Sequence, residues 1–135
     1  MDIIQEVKKL NLPLSELVVV SGGTLQVLGI RNTNDIDLAA TENLYNHLLK
    51  DVNWIQDIRK DGIWLKKGVV EVLPKLEWKN YPITAQEAID NAIVVEGVNF
   101  MNLNHLIKFK KALGRDKDFN DINLINEYLE KTTSM

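Results

Sequence analysis

VVVSGGTLQVLGIRNTNDIDL, residues 18–38, is the stretch that decides the fold of this chain. Its first apolar run, residues 18–20, predicts a buried strand, and Gly22-Gly23 predict a tight turn into a helix from Thr24 to Leu28. A second apolar run contains Asp35-Ile36-Asp37. The segment therefore predicts a strand, a glycine turn, a short helix and a second strand that carries two acids.

The glycine turn and the two acids together suit a phosphate chain that is bound through a divalent metal. Backbone N–H groups can approach an anion closely at Gly22 and Gly23, and the helix that follows turns its positive end to the same place. In a strand, Asp35 and Asp37 point to one face with Cα atoms roughly 6.5 to 7 Å apart, which suits joint coordination of Mg²⁺. The residues thus predict a site that activates a nucleoside triphosphate.

Simpler interpretations of the same residues stay open. An isolated Gly-Gly is more commonly a strand-to-helix turn without a ligand, and Asp35 after Asn34 can be a turn or strand-cap residue. Arg31 can contact a phosphate, or it can pair with Asp35 or Asp37. Asp37 lies in an apolar run, where an ionised carboxylate needs a metal or a cation as its partner.

The rest of the chain predicts helices and β-hairpins in one α+β domain, residues 1–135. Capping residues at Thr41, Thr84 and Asn102 each begin a helix, and glycine turns separate the short β-runs. We expect a mixed sheet with helices mainly on one face, the glycine loop and both aspartates at its open edge, and a C-terminal helical segment. The other predicted helices and strands are 2–10, 42–49, 84–91, 103–113 and about 118–131, and 17–20, 54–58, 63–65, 69–73, 93–95 and 98–100.

Composition excludes several classes of protein. The 135 residues are 45% hydrophobic and 26% charged, which is typical of a soluble globular domain. A net charge of -3 argues against non-specific wrapping of nucleic acid, which needs many cations. The chain has no cysteine and no apolar run approaching the ~20 residues of a membrane span, so we expect a cytoplasmic protein without a membrane partner.

A second segment, residues 106–122, LIKFKKALGRDKDFNDI, adds a family resemblance. Together with the glycine–acid segment, it resembles the DNA polymerase beta-like nucleotidyltransferase superfamily, in particular its small stand-alone members similar to abortive-infection type nucleotidyltransferases. More distantly, it is similar to lincosamide nucleotidyltransferases. The family signature is a strand, Gly-Gly or Gly-Ser opening a helix, an acid-apolar-acid strand about ten residues later, and a third acid on a later strand. The resemblance covers about residues 15–128.

The resemblance implies a nucleotidyltransferase fold and an activity. The activity is Mg²⁺-dependent transfer of a nucleoside monophosphate from a nucleoside triphosphate to a hydroxyl of RNA, protein or a small molecule. It implies that Gly22, Gly23 and Thr24 hold the β and γ phosphates and that Asp35 and Asp37 bind the metal pair.

Three further side chains take roles through the same resemblance. Glu71, the single acid in the run 69–73, would be the third metal-side carboxylate and the base toward the acceptor hydroxyl, although the family prefers Asp there. The simpler interpretation is an edge-strand glutamate facing water. Lys110 and Arg115 would reach the triphosphate or the metal-side acids. Asp118 and Asp121 would then be a helix N-cap and a partner for Arg115.

Two alternatives belong to other functional classes. The first is a chain that keeps the fold and nucleotide binding without turnover, since Glu71 departs from the family pattern. The second is one half of a toxin–antitoxin type pair or a homodimer, because the last helix carries a broad apolar face that a partner could cover. That face consists of Ile122, Leu124, Ile125, Tyr128 and Leu129.

Overall fold

The computed structural model describes residues 1–77 and 80–133. Over these residues the chain forms a mixed seven-stranded sheet and six α-helices, which confirms the α+β prediction. A 3₁₀ turn, Leu14–Glu16, precedes the first strand. The helices are α1 (Ile3–Lys8), α2 (Gly22–Val27), α3 (Glu42–Leu49), α4 (Ala85–Asp90), α5 (Leu103–Leu113) and α6 (Asp116–Thr133). The strands are β1 (Leu17–Val20), β2 (Ile36–Ala40), β3 (Ile55–Arg59), β4 (Gly62–Lys67), β5 (Val70–Val72), β6 (Ile93–Val95) and β7 (Val98–Phe100).

The strand order β3-β4-β5-β2-β1-β7-β6 places β2 at the centre of the sheet. β2 runs antiparallel to β1 and parallel to β5. In this register Asp37 pairs with Val20 on one side and with Glu71 on the other. Residues paired across neighbouring strands point to the same face, so these three side chains share one face of the sheet.

Helices cover both faces of the sheet, so the prediction that they lie mainly on one face is wrong. One core joins Val19 and Leu38 to α1 and α3, and the other joins Val18 and Val20 to α4, α5 and α6. All four residues of β1 are buried, as in a strand that is covered on both sides. The continuous apolar sequence of β1 already indicated that both sides of this strand are covered.

Capping side chains begin three helices at the predicted residues. Thr41 accepts a hydrogen bond from the backbone N–H of Leu44 at 3.2 Å, and Asn102 accepts one from that of His105 at 2.8 Å. Thr84 accepts the N–H of Glu87 at 3.1 Å in the same way.

Among the described residues, no helix is both long enough and apolar enough to cross a bilayer.

Gly23 lies at the closest approach of α2 to β1. A Cβ at this position would overlap Cγ1 of Val19, which is fully buried and has no room to move. We expect Gly23→Ala to lower the free energy of unfolding by about 1–3 kcal/mol in urea titrations, as is typical of overpacking. Gly22→Ala is the comparison, since its Cβ would meet Oγ1 of Thr33 at 2.8 Å and Cβ of Thr33 at 3.1 Å, and Thr33 lies in a half-buried loop that should shift at a smaller cost than the buried Val19. Equal losses in the two variants would contradict the packing argument.

Candidate functional site

Asp35, Asp37 and Glu71 come together at the start of β2. Asp37 is partly buried and lies beside Glu71 in the parallel β2–β5 register. Asp35 is exposed and precedes the strand, which begins at Ile36 and not at Asp35 as predicted. Burial raises the pKa of Asp37 to about 6, helped by the negative charges of Asp35 and Glu71 and opposed by Arg59 and Lys110. Asp37 is therefore a carboxylate whose negative charge its neighbours do not fully compensate.

Glu71 is held by two cations. Its Oε1 lies 3.5 Å from Nζ of Lys66, and its Oε2 lies 3.6 Å from Nη2 of Arg59. β5 lies between β4 and β2, so the interpretation of Glu71 as an edge-strand residue facing water is wrong. Its role as third acid stays a prediction.

The acids fit Mg²⁺ as a pair. Within residues 1–77 and 80–133, no three carboxylate or imidazole side chains are grouped closely enough to form a ready-made metal site. Mg²⁺ is usually bound by one or two carboxylates together with water and substrate phosphates. Asp35 and Asp37 offer such a hard-oxygen pair, and burial, followed by the charges of Asp35 and Glu71, raises the pKa of Asp37, which a nearby cation would lower.

The turn between β1 and α2 contains an unusual backbone conformation at Ser21. Ser21 has φ 58° and ψ −133°, a region that costs a non-glycine residue about 1–3 kcal/mol and that is frequent at functional sites. Ser21 was not among the residues predicted to form the site, although its place between a buried strand and Gly22-Gly23 was the available signal. Thr24 is fully buried and its hydroxyl donates to the carbonyl of Met101 at 3.1 Å. The Thr24 side chain thus joins α2 to the residue that follows β7, and it does not line the polar space at the glycine turn.

Five charged side chains form a second group, the ion network, defined by Arg31, Lys110, Arg115, Asp118 and Asp121. Arg31 donates from Nε and Nη2 to the two carboxylate oxygens of Asp121, both at 2.7 Å. Nζ of Lys110, a side chain that is 2% exposed, lies 2.7 Å from Asp121 and 3.6 Å from Asp118. Arg115 donates from Nε to Asp118 at 2.7 Å.

The ion network corrects three sequence expectations. Arg31 pairs with Asp121, not with Asp35 or Asp37. α6 begins at Asp116, so neither Asp118 nor Asp121 is its N-cap. Asp118, and not Asp121, is the partner of Arg115, whereas Asp121 binds the side chains of Arg31 and Lys110.

A polar cleft of about 170 Å³ brings most of the predicted side chains together. Gly23, Thr24 and Glu71 do not line it, whereas Ser21 and Lys117 do, and the sequence analysis assigned neither a role. The predicted residues that line the polar cleft are Gly22, Arg31, Asp35, Asp37, Lys110 and Arg115.

A neighbouring space, the Trp64 cavity, has a volume of about 240 Å³. The guanidinium of Arg59 lies 4.2 Å from the centroid of the Trp64 ring, and both side chains line this cavity. Nε1 of Trp64 donates to Oδ1 of Asp61 at 2.9 Å. Arg59 and Trp64 were not predicted as site residues, since only the pairing of β3 with β4 brings them together.

The apolar face of α6 packs inside the chain. Ile122 is buried, and Ile125, Tyr128 and Leu129 belong to the same core as α4 and α5. Internal packing therefore accounts for most of this apolar face, and Leu124, Tyr128 and Leu129 are half-buried.

A comparison of the chain with protein-family models, curated proteins and solved structures finds no significant match.

Proposed function

We propose that this chain is a Mg²⁺-dependent nucleotidyltransferase, which moves a nucleoside monophosphate from a nucleoside triphosphate to an acceptor hydroxyl. One observation carries the proposal: Asp35 and Asp37 share a small polar cleft with the glycine turn and with cationic side chains. A polyphosphate and its metal need these groups together, because the phosphates need donors and cations while the metal needs carboxylates.

The phosphate chain would lie between the glycine turn and Arg115. Gly22 lines the polar cleft although it is buried, and the side chains of Lys117 and of Arg115, which also pairs with Asp118, are exposed there. Lys110 and Arg31 are already paired with Asp121, so they position the cleft wall and add positive charge without being free donors. When bound by Asp35 and Asp37, Mg²⁺ would neutralise charge on the α-phosphate and on leaving pyrophosphate.

The acceptor side of the reaction would use Glu71. The acceptor oxygen forms a bond to the α-phosphorus, the bond from that phosphorus to the bridging oxygen breaks, and pyrophosphate leaves with the electron pair. Glu71 would take the proton of the hydroxyl. Arg59 and Lys66 hold its carboxylate on the face where Asp37 lies, which orients it toward the reaction.

Pyrophosphate release from labelled nucleoside triphosphates tests the proposal. We expect release to require Mg²⁺ and to fall by about a hundredfold in Asp35→Asn, which removes a charged oxygen ligand. Asp90→Asn is the control, because Asp90 is an exposed acid at the end of α4 and should leave the rate unchanged. No release with RNA, protein or small-molecule acceptors would contradict the proposal.

A nucleotide-binding module without turnover is the second candidate. The engagement of Glu71 by Arg59 and Lys66 favours it, because a carboxylate whose two oxygens already lie beside cations is less available to an acceptor hydroxyl. Calorimetric binding of a non-hydrolysable triphosphate, with no pyrophosphate release from the natural one, would select this candidate.

A further inference from the structure

The Trp64 cavity has a chemical character unlike that of the polar cleft. Its walls include the apolar side chains of Leu76, Phe109 and Leu113, and the guanidinium of Arg59, which lies over the ring of Trp64. Ligand sites typically combine apolar and aromatic walls with a few convergent polar groups. The polar cleft, in contrast, is lined mostly by charged side chains.

The two spaces adjoin at the acids. Ser21, Asp37 and Arg115 line both the polar cleft and the Trp64 cavity. A molecule that places phosphates in the polar cleft can therefore extend past Asp37 into the Trp64 cavity. A second molecule in the Trp64 cavity can equally present a group at Asp37 from the opposite side.

The volume of the Trp64 cavity and the contact between Arg59 and Trp64 indicate which kind of ligand fits. A volume of about 240 Å³ is below the ~300–1,000 Å³ usual for drug-sized molecules, so the cavity admits a compact group. Indole and guanidinium planes both stack on flat π-systems, and a flat ring can continue the stack that Arg59 and Trp64 already form.

We infer that the Trp64 cavity is a binding site for a planar aromatic ring of the size of a nucleoside's base, stacked on Arg59 and Trp64. Two sources share this chemistry: the base of the nucleoside triphosphate, and a ring carried by the acceptor. The inference rests on the proposed function only for what occupies the neighbouring polar cleft, since ring binding itself needs neither metal nor turnover.

Equilibrium dialysis of the full chain with adenosine, cytidine, guanosine and uridine, without metal or phosphate, tests the site. Trp64→Leu should weaken binding about tenfold, the scale of one lost base–aromatic stack, whereas Trp64→Phe should keep most of it. Ile58→Gln is the matched control, because Ile58 lies on the opposite face of the same strand pair and is 79% exposed. Circular dichroism confirms that each variant is folded. No binding of any nucleoside to the unaltered chain, or equal binding by Trp64→Leu, would overturn the inference.

Competition distinguishes the two sources. Inorganic triphosphate with Mg²⁺ fills the polar cleft without a ring, so nucleoside binding should persist in its presence. A non-hydrolysable nucleoside triphosphate should exclude the nucleoside if its own base occupies the Trp64 cavity, and should leave binding intact if the ring belongs to the acceptor. Nucleoside binding that depends on Trp64, without pyrophosphate release, would support the ring site and contradict the proposed nucleotidyltransferase activity. Pyrophosphate release by the unaltered chain, together with nucleoside binding that is equal in Trp64→Leu, would do the reverse.

Discussion

Asp37→Asn should abolish nucleotidyl transfer and at the same time stabilise the fold at neutral pH. The pKa of Asp37 is raised from 3.8 to about 6 by burial and by the charges of Asp35 and Glu71, so the folded state disfavours the ionised form. Asparagine keeps the shape of the side chain without the charge. We expect the free energy of unfolding to rise by about 1–3 kcal/mol at pH 7.5, the scale of a two-unit shift in a partly buried group.

The pH dependence of this gain has a definite sign. A carboxyl with a raised folded pKa contributes most to stability below its unfolded pKa, and that contribution is lost as pH rises through about 6. The difference between Asp37→Asn and the unaltered chain should therefore be large at pH 7.5 and small near pH 4. Urea titrations at the two pH values measure it, with Asp90→Asn as an exposed control. A loss of stability at pH 7.5 in Asp37→Asn would contradict the assignment.

The affinity for Mg²⁺ should depend on whether the carboxyl of Asp37 is ionised. Protons compete with Mg²⁺ for Asp37, so the Mg²⁺ affinity of the unaltered chain should fall as pH drops through about 6. Asp37→Asn should show weak Mg²⁺ binding at every pH. A pH-independent affinity in the unaltered chain would show that the metal does not bind at Asp37.

Lys110→Met should cause the largest loss of stability. Lys110 is 2% exposed and its Nζ lies 2.7 Å from Asp121 and 3.6 Å from Asp118, two buried acids. Without Lys110 both carboxylates lose a cation in a region from which water is excluded. Breaking a buried ion pair from one side costs about 3–5 kcal/mol, a large share of the ~5–15 kcal/mol that holds a typical domain.

Protonation should relieve this loss. Burial would by itself raise the pKa of Asp121, but hydrogen bonds from Arg31 and Lys110, with their charges, lower it below the usual value. The stability from this acid is therefore present above its unfolded pKa and is lost as pH falls through the lower folded pKa. The deficit of Lys110→Met should shrink near pH 4, where the freed carboxylates take up protons.

Two further variants separate charge from packing in this network. Lys111→Met alters the next residue of α5, which is exposed. It should shift the urea midpoint as little as other substitutions of exposed residues do. Asp121→Asn added to Lys110→Met should recover part of the lost stability, since it removes the uncompensated charge. Equal losses for Lys110→Met and Lys111→Met would reject a structural role for the ion network.

Local features of the chain were predictable to within a few residues. β1 coincides with the predicted run 17–20, and Thr41, Thr84 and Asn102 cap helices where their side chains can reach a backbone N–H three residues later. These features depend on contacts within one turn, so neighbouring residues decide them. Asp35 fell outside the strand because strand ends depend on the pairing partner as well as on local sequence.

By itself, the sequence determined the strand and helix types, the glycine turn and the spacing of Asp35 and Asp37. Only the tertiary structure decided that Glu71 lies beside Asp37 and that Arg31 binds Asp121, a residue 90 positions away. The reason is physical: strand register and helix packing decide which oppositely charged side chains meet, and the local sequence around each charge does not distinguish between the possible partners. Burial then makes the selected pairs strong and leaves Asp37 with an uncompensated charge.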